Sequence, residues 1–200
     1  MRRKVFDILA SAGGAVLVVV LVVAGSLLLV GSSYANSQVH DQLARQEIYF
    51  PPASAFAHPK VGTEITPSMI PSVSQYAGQQ LLTGPQAAVY ANDFIAVHLS
   101  EMPYGGVYAK VASAARAAKP GSPQAVKLAS LESTVFQGTT LRGLLLEAYG
   151  FWEFGNIAFW AAIAAFILAG VMAALTALGF WHARHTPVEL ELITHEAKAA

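Results

Sequence analysis

Residues 8–30 read ILASAGGAVLVVVLVVAGSLLLV, and this stretch decides the fold of the chain. It runs for 23 positions without a charged side chain. A helix rises about 1.5 Å per residue, so this length crosses the roughly 30 Å hydrocarbon core of a bilayer. We therefore predict that residues 8–30 form a first transmembrane helix.

A second uncharged stretch lies near the C-terminus, over residues 154–181. It is 28 residues long, and aromatic side chains occur near both of its ends, where an interfacial belt is expected. These aromatic residues are Phe151, Trp152, Trp160, Phe180 and Trp181. We predict a second transmembrane helix here, which leaves residues 31–153 between the two spans.

Basic residues near the spans indicate the direction of the chain. Three basic residues among the first four positions precede the first span, whereas Arg45 is the only basic residue in the 20 positions after it. Because cytoplasmic flanks retain Lys and Arg, we predict a cytoplasmic N-terminus, residues 1–7. Two spans return the tail, residues 182–200, to the same side, in agreement with Arg184. Residues 31–153 would then form an extracytoplasmic domain at the cell membrane.

A cleaved signal peptide is the alternative for the first span, because Ser33 and Ala35 supply the small residues that signal peptidase requires. The apolar stretch is longer than the roughly 7–15 residues of a signal core, so we favour an uncleaved anchor. Cleavage would leave a mature protein with one span.

The composition agrees with a membrane protein and excludes several other classes. Hydrophobic residues make up 54% and charged residues 12% of the chain, whereas a soluble domain carries about 25% charged residues. The 12 basic residues balance the 12 acidic ones, so no net positive field attracts nucleic acid. The chain has no cysteine, which excludes disulfides, zinc–thiolate sites and iron–sulfur clusters. We expect the lipid bilayer, and not nucleic acid, as a partner.

The segment between the spans has the pattern of a small helical domain, so we predict an all-α membrane protein. Proline, glycine and capping residues divide the segment into five predicted helices. They cover residues 32–47, 71–81, 85–102, 107–119 and 122–149. The last of them is either straight or bent at residues 138–140. Gln86, Asp93 and Ser100 recur every seven residues and indicate a polar, water-facing stripe. Apolar and polar residues alternate only weakly, so we predict no strand.

A Pro-rich loop over residues 48–71 interrupts these helices. It could be a loose linker, but Tyr49, Phe50 and Phe56 are unusual in linkers, so we favour packing against the domain. The same three side chains, together with His98, are our candidate ligand or partner contacts, because they could form the wall of an apolar pocket.

The second span carries small residues at four-residue spacing, a pattern that lets another helix approach closely. These residues are Ala161, Ala165, Ala169, Ala173 and Ala177, with Gly170 and Ala174 beside them. This helix-packing face would contact the first span, another membrane protein or a second copy of the chain. Alanine that merely fills an apolar helix is an equally good interpretation.

Residues that carry catalysis or bind metals are sparse. His182 and His185 have the spacing of a ligand pair, but they lie where a span end carries polar anchors, and we favour that role. No nucleophile, phosphate-binding or dinucleotide motif occurs. We therefore predict no enzymatic activity, no metal and no cofactor. An envelope enzyme is the alternative, and its candidate residues are His40, Asp41, His98 and Glu101.

Five segments of the chain carry a family resemblance. They are ANSQVHDQL at 35–43, QEIYFPP at 46–52, YAGQQL at 76–81, FIAVHL at 94–99 and LRGLLL at 141–146. Together they resemble an uncharacterised group of actinobacterial two-span membrane proteins, over most of the chain from Ala35 to Trp181. The resemblance implies no established activity. Such proteins are sometimes labelled aromatic ring-opening dioxygenases, but no pair of histidines with a carboxylate is placed here to hold a non-haem iron.

These features favour a non-enzymatic accessory or scaffold subunit of a membrane or cell-envelope assembly. The expected partner is another membrane protein or a second copy of the chain. A membrane-anchored ligand-binding or sensor module is the alternative, although the inner tail after residue 185 is short for an output domain. Within this tail, residues 188–193 alternate apolar and acidic side chains and could join the sheet edge of a partner, but a frayed terminus is the simpler interpretation.

Overall fold

A computed structural model describes residues 3–187, so the proposed sheet-edge role of residues 188–193 lies outside the described part of the chain. Over the described residues the fold is helical and contains no strand, as predicted. The helices are α1 Arg3–Ala44, α2 Ile70–Val73, α3 Gly84–Val89, α4 Ala96–Glu101, α5 Tyr108–Ala117 and α6 Pro123–His185. Short 3₁₀ turns cover Ala53–Ala57, Pro67–Met69, Ser74–Tyr76 and Pro103–Gly106, and a π-helix covers Tyr90–Ile95.

Helices α1 and α6 are each long and apolar enough to cross a membrane. They contain the two predicted spans, residues 8–30 and 154–181. Only 11% of the most apolar window of α1 and 17% of that of α6 is buried by protein. The core helix of a soluble protein would be mostly covered by its neighbours, whereas most of these side chains are exposed.

The first span continues as a helix beyond its apolar part, as the sequence predicts. Helix α1 ends at Ala44, and Glu47 follows with φ 52°, a left-handed conformation that turns the chain. The end of α1 therefore precedes Pro51 and Pro52, which could not continue a helix.

Helix α6 runs from Pro123 to His185 without interruption, so residues 138–140 are part of the helix. At its start, the Ala125 N–H donates a hydrogen bond of 3.2 Å to Ser122 Oγ, which caps the helix. Gly138 allows close packing, because a Cβ at this position would lie 2.9 Å from a methyl group of Leu99.

The predicted helix 85–102 is confirmed by α3, the π-helix and α4, which follow one another from Gly84 to Glu101. Thr83 and Gln86 form a capping box at its start. The predicted place of Gln86 on a water-facing stripe is wrong. Its side chain is buried, because its Oε1 accepts hydrogen bonds from the Leu82 and Thr83 N–H groups at 2.8 and 3.0 Å.

The predicted helix 71–81 is shorter in the structure. Helix α2 and a 3₁₀ turn end at Tyr76, and Gly78 follows with φ 70°. A left-handed residue cannot continue a right-handed helix, so the chain leaves the helix here.

Residues 3–33 and 156–187 belong to one compact unit, in which α1 packs against α6. Glycines lie at three close approaches of the two helices. The contacting pairs are Ser11 with Gly179, Gly14 with Thr176 and Gly25 with Phe166. In these three pairs the residue number increases along α1 while it decreases along α6, so the two helices are antiparallel.

The seam between these two helices is built from small side chains that recur in steps consistent with a seven-residue repeat. The buried residues are Ser11, Gly14, Gly25 and Ser32 on α1 and Ala162, Ala165, Ala169 and Ala183 on α6. Small residues let helix backbones approach closely, so that dispersion contacts form between the two helices. A 3.5-residue period is typical of left-handed helix pairs.

Residues 34–155 form the second compact unit, which has its own core. The fully buried side chains of this core are Met69, Val73, Leu81, Ala87 and Ala91. Gly84 brings α3 close to α6, because a Cβ there would overlap the side chain of Trp152. The Pro-rich loop belongs to the core, since Phe50 and Ile65 are each only 2% exposed. The loop is therefore packed, as favoured from its sequence, and is not a loose linker.

Candidate ligand-binding groove

The predicted contact residues Tyr49 and Phe50 lie in opposite environments. The Phe50 ring lies between Tyr76 and Tyr90, with ring centroids 5.1 and 5.2 Å away. Burial, with a further contribution from the charge of Glu64, raises the pKa of the Tyr90 phenol above its usual value. Tyr49 is 57% exposed and forms an isolated antiparallel bridge with Gln80. Phe50 is thus a core residue, while Tyr49 faces water.

Phe56 and His98 also pack near the core. Phe56 is half-buried against it. The His98 ring meets the Phe94 ring edge-on at 4.6 Å, and its Nδ1 lies 2.9 Å from the Phe94 carbonyl oxygen. His98 therefore contacts the preceding turn of its own helix segment through both its ring and its Nδ1. A ligand role for the four predicted contacts stays a prediction, and none of them lines the groove described below.

The residues considered for an enzyme make separate contacts. His40 Nδ1 lies 3.3 Å from Asp41 Oδ1 at an exposed position of α1. Glu101 accepts a hydrogen bond of 3.2 Å from the Gly62 N–H. Within residues 3–187, no three His, Asp or Glu side chains lie close enough to hold a metal ion.

The two histidines after the second span also make different contacts. His185 Nδ1 lies 2.8 Å from the Trp181 carbonyl oxygen. His182 Nε2 lies 3.8 Å from Asp7 Oδ2 on α1. They therefore do not share a contact, although their spacing in the sequence is that of a ligand pair.

The small-residue face of the second span coincides only partly with the seam. Ala165 and Ala169 are buried, whereas Ala161, Ala173 and Ala177 are exposed. The seam follows a 3.5-residue period and the alanines a period of four, so the stripe crosses the seam and then leaves it. Contact of the exposed part with a further helix stays a prediction.

A groove of about 450 Å³ lies between α1 and α6 in the unit of residues 34–155. Its volume is within the range of small-molecule pockets, roughly 300–1,000 Å³. Fourteen residues line it, and none of the sequence-predicted contacts is among them. They are Tyr34, Ala35, Gln38, Val39, Gln42, Leu43, Gln46, Ile48, Leu141, Leu144, Leu145, Glu147, Ala148 and Phe151.

The α1 wall of the groove is a row of polar side chains above an apolar floor. Gln38, Gln42 and Gln46 follow one another at four-residue spacing and are exposed. Between them lie Val39 and Leu43, which are 5% and 4% exposed and form part of the core. An amide both donates and accepts hydrogen bonds, so this wall can bind a polar group of either kind.

The α6 wall is mainly apolar. Leu141, Leu144 and Phe151 expose large apolar surfaces, and Leu145 is buried at the floor. Glu147 is the only charged residue that lines the groove. An apolar cleft with a few convergent polar groups is the usual composition of a ligand pocket.

The turn that follows α1 contributes one end of the groove. The turn after Ala44, in which Glu47 is left-handed, places Ile48 among the lining residues. The Gln46 N–H donates a 3.0 Å hydrogen bond to the Leu43 carbonyl, and the Glu47 N–H donates one of 3.3 Å to that of Ala44. These bonds hold the turn that places Ile48 beside the groove.

The sequence pattern indicates the α1 wall of the groove but not the α6 wall. Tyr34, Gln38, Gln42 and Gln46 stand four apart in a predicted helix and so share one face. The other half lies about a hundred residues further along, and nothing local indicates that α1 and α6 meet there. The groove is therefore not predictable from the sequence.

Comparisons of the chain with protein-family models, with curated proteins and with solved structures found no match. The geometry of the groove is therefore the basis for assigning a function.

Proposed function

We propose that the chain is a two-span membrane protein whose helical domain, residues 34–155, binds an amphiphilic ligand in the groove. The function is non-enzymatic binding, which corresponds to the ligand-binding module considered from the sequence. The observation that supports it is the groove itself, with its glutamine row on α1 and its leucine wall on α6.

The membrane location is supported by the two long apolar helices and by their exposed side chains. The antiparallel pairing of α1 with α6 is the arrangement of a chain that crosses a membrane twice and returns. With the basic residues before the first span, it supports cytoplasmic termini and an extracytoplasmic domain.

Co-purification tests the binding function. The full-length protein is purified in mild detergent, and the small molecules that accompany it are extracted and quantified by mass spectrometry. Gln38→Trp fills the groove from its exposed rim, and Ser37→Trp places the same side chain on the neighbouring exposed residue, which does not line the groove. We expect an amphiphile with the wild type and with Ser37→Trp that is depleted from Gln38→Trp. Equal amounts in all three samples, or none in any, would contradict the proposal.

An accessory or scaffold subunit is the second candidate. Gly170, Ala173, Ala174 and Ala177 are exposed on α6, outside the seam with α1. Small residues at this spacing let another helix approach closely, so a membrane protein or a second copy of the chain could pack there. This candidate keeps the partner that the sequence analysis expects.

A pull-down from native membranes tests this second candidate. Ala174→Leu obstructs the exposed small-residue face, and Val171→Leu adds a similar apolar side chain at a neighbouring exposed position. We expect a stoichiometric partner to be lost with Ala174→Leu and kept with Val171→Leu. Recovery of the wild-type protein alone would exclude the second candidate and leave the groove as the functional site.

A further inference from the structure

We infer that the groove takes a single-chain amphiphile whose polar end is uncharged or positively charged. This inference rests on the proposed function, since it names the ligand class of the same site. Three observations support it, namely the size of the groove, the composition of its walls and the sign of its one charge.

The length of the groove matches one alkyl chain. The α6 wall runs from Leu141 to Phe151, which is roughly 15 Å of helix at about 1.5 Å per residue. One chain of a bilayer leaflet covers half of the roughly 30 Å hydrocarbon core, which is the same length.

The walls of the groove assign the two ends of the ligand. The apolar chain lies against Leu141, Leu144 and the buried Leu145, where it loses contact with water. The polar end lies along Gln38 and Gln42, whose amides donate to and accept from hydroxyl, amine or amide groups. Such a division between an apolar wall and a polar wall matches a molecule with one apolar and one polar part.

The charge of the groove selects against anions. Glu147 is an acceptor that favours a positive or hydrogen-bond-donating group, and no Lys, Arg or His is among the lining residues. A fatty acid or a phosphate ester would therefore lie near a negative charge without a basic partner. Glycerol, sugar or amine head groups would not meet this repulsion.

In the sequence, residues of the groove are close to the two predicted spans, which favours a ligand that comes from the membrane. Tyr34 lies four residues after the first predicted span, and Phe151 lies three residues before the second. A helix of a partner protein is roughly 10 Å across, far wider than one alkyl chain, and is the competing occupant.

Native mass spectrometry of the full-length protein with defined probes tests the inference. The probes are a monoacylglycerol, a primary alkylamine and a fatty acid with the same number of chain carbons, each added at the same concentration. The variants are Glu147→Lys, Gln38→Trp and the control Ser37→Trp. Glu147 is exposed, so its replacement is not expected to disturb the core.

We expect the wild type and Ser37→Trp to bind the neutral and cationic probes, with the fatty acid bound roughly fivefold more weakly, as an exposed charge pair allows. Glu147→Lys should reverse the order of the alkylamine and the fatty acid, and Gln38→Trp should weaken all three.

Two results would overturn the inference, and they differ from each other. If the fatty acid binds the wild type as well as the neutral probe and Gln38→Trp still removes both, the ligand class is wrong while the groove remains a binding site. If no probe binds, or if all bind equally to Gln38→Trp, the proposed function itself fails.

Discussion

Tyr49 and Phe50 are neighbours in the Pro-rich loop, but the structure gives them different roles. Phe50 is 2% exposed and packs between two tyrosine rings, whereas Tyr49 is 57% exposed. A buried aromatic residue contributes through the apolar area it removes from water and through contact with its neighbours. Of these two residues, Phe50 is therefore the one that holds the loop against the core.

This difference predicts the stabilities of two alanine variants. Phe50→Ala should lower the free energy of unfolding by about 3–5 kcal/mol, because it leaves a cavity in the core. Tyr49→Ala should change it by no more than about 0.5 kcal/mol, since the side chain is largely in water. Thermal unfolding of the full-length protein in mild detergent, followed by circular dichroism, measures both. Similar losses for the two variants would contradict the packing of Phe50.

Gly105 and Gly106 provide a second matched pair at this scale. Both are left-handed, with φ 64° and 62°, but a Cβ at Gly105 meets open space while one at Gly106 would overlap the Leu99 carbonyl. Gly105→Ala should cost about 1–2 kcal/mol for the conformation alone. Gly106→Ala should cost clearly more, because a backbone group must also move. Equal decreases of the unfolding temperature would show that the contact with Leu99 is not formed.

The role of a residue could be predicted from the sequence only where it depends on residues next to it in the chain. Thr83, Ser122 and the prolines mark helix starts that the structure contains, because capping depends on the next few residues. Gln86 was assigned to water from its spacing, yet its hydrogen bonds to the preceding turn bury it. Burial of Phe50 depends on Tyr76 and Tyr90, which are distant in the sequence.

At the scale of elements, the seam between α1 and α6 holds the two long helices together. Its buried residues are glycine, serine and alanine, with Thr176 and Phe166 opposite two of the glycines, and the two helices are antiparallel. The sequence offered two interpretations of the alanine stripe, packing or mere filling. The structure buries Ala165 and Ala169 and exposes Ala161, Ala173 and Ala177, because a period of four does not follow a 3.5-residue seam.

Cysteine cross-linking tests the seam without background, because the chain has no cysteine of its own. The double variant Ser11→Cys with Gly179→Cys should form a disulfide in membranes under mild oxidation, since a side chain at Gly179 would touch Ser11. Ser11→Cys with Ala162→Cys places the second thiol at the opposite end of the α6 half of the seam and should not. Intact mass after alkylation counts the free thiols.

The opposite pattern of cross-links would indicate a parallel pair. A mature protein that has lost its first residues through signal cleavage would form neither cross-link, and its intact mass would show the loss directly. The experiment therefore also separates the anchor from the signal peptide.

The groove marks the limit of sequence-based prediction for elements. Its glutamine row on α1 follows a regular spacing, but the apolar wall of α6 is part of a helix that is apolar along most of its length. Nothing in residues 141–151 distinguishes a groove wall from any other amphipathic or apolar segment. Pairing of elements so far apart is decided by the whole fold and not by local pattern.

For the whole molecule, composition and hydropathy were sufficient to predict an all-helical chain with two long apolar helices. The number of apolar side chains and their uninterrupted runs set this outcome. The task of the molecule was not predictable in the same way, because its candidate site is assembled from two helix segments about a hundred residues apart in the sequence.

For the whole molecule, we predict that the Pro-rich loop and the C-terminal flank of the second span lie on opposite sides of the membrane. Val61 lies in the Pro-rich loop and is 68% exposed, and Arg184 follows the second span. In intact cells, a membrane-impermeant thiol reagent should label Val61→Cys and not Arg184→Cys, which should react only after permeabilisation. Labelling of Arg184→Cys in intact cells would reverse the proposed orientation.

The most direct measurement of the central claim is photo-cross-linking in the native membrane. A benzophenone amino acid replaces Gln38, which lines the groove, or the exposed Ser37 beside it, in the full-length protein. After irradiation, intact mass spectrometry detects what has been captured. We predict an adduct of the mass of a single-chain amphiphile from position 38 that is absent from position 37. Capture of a protein from position 38, or the same adducts from both positions, would contradict a ligand-binding groove.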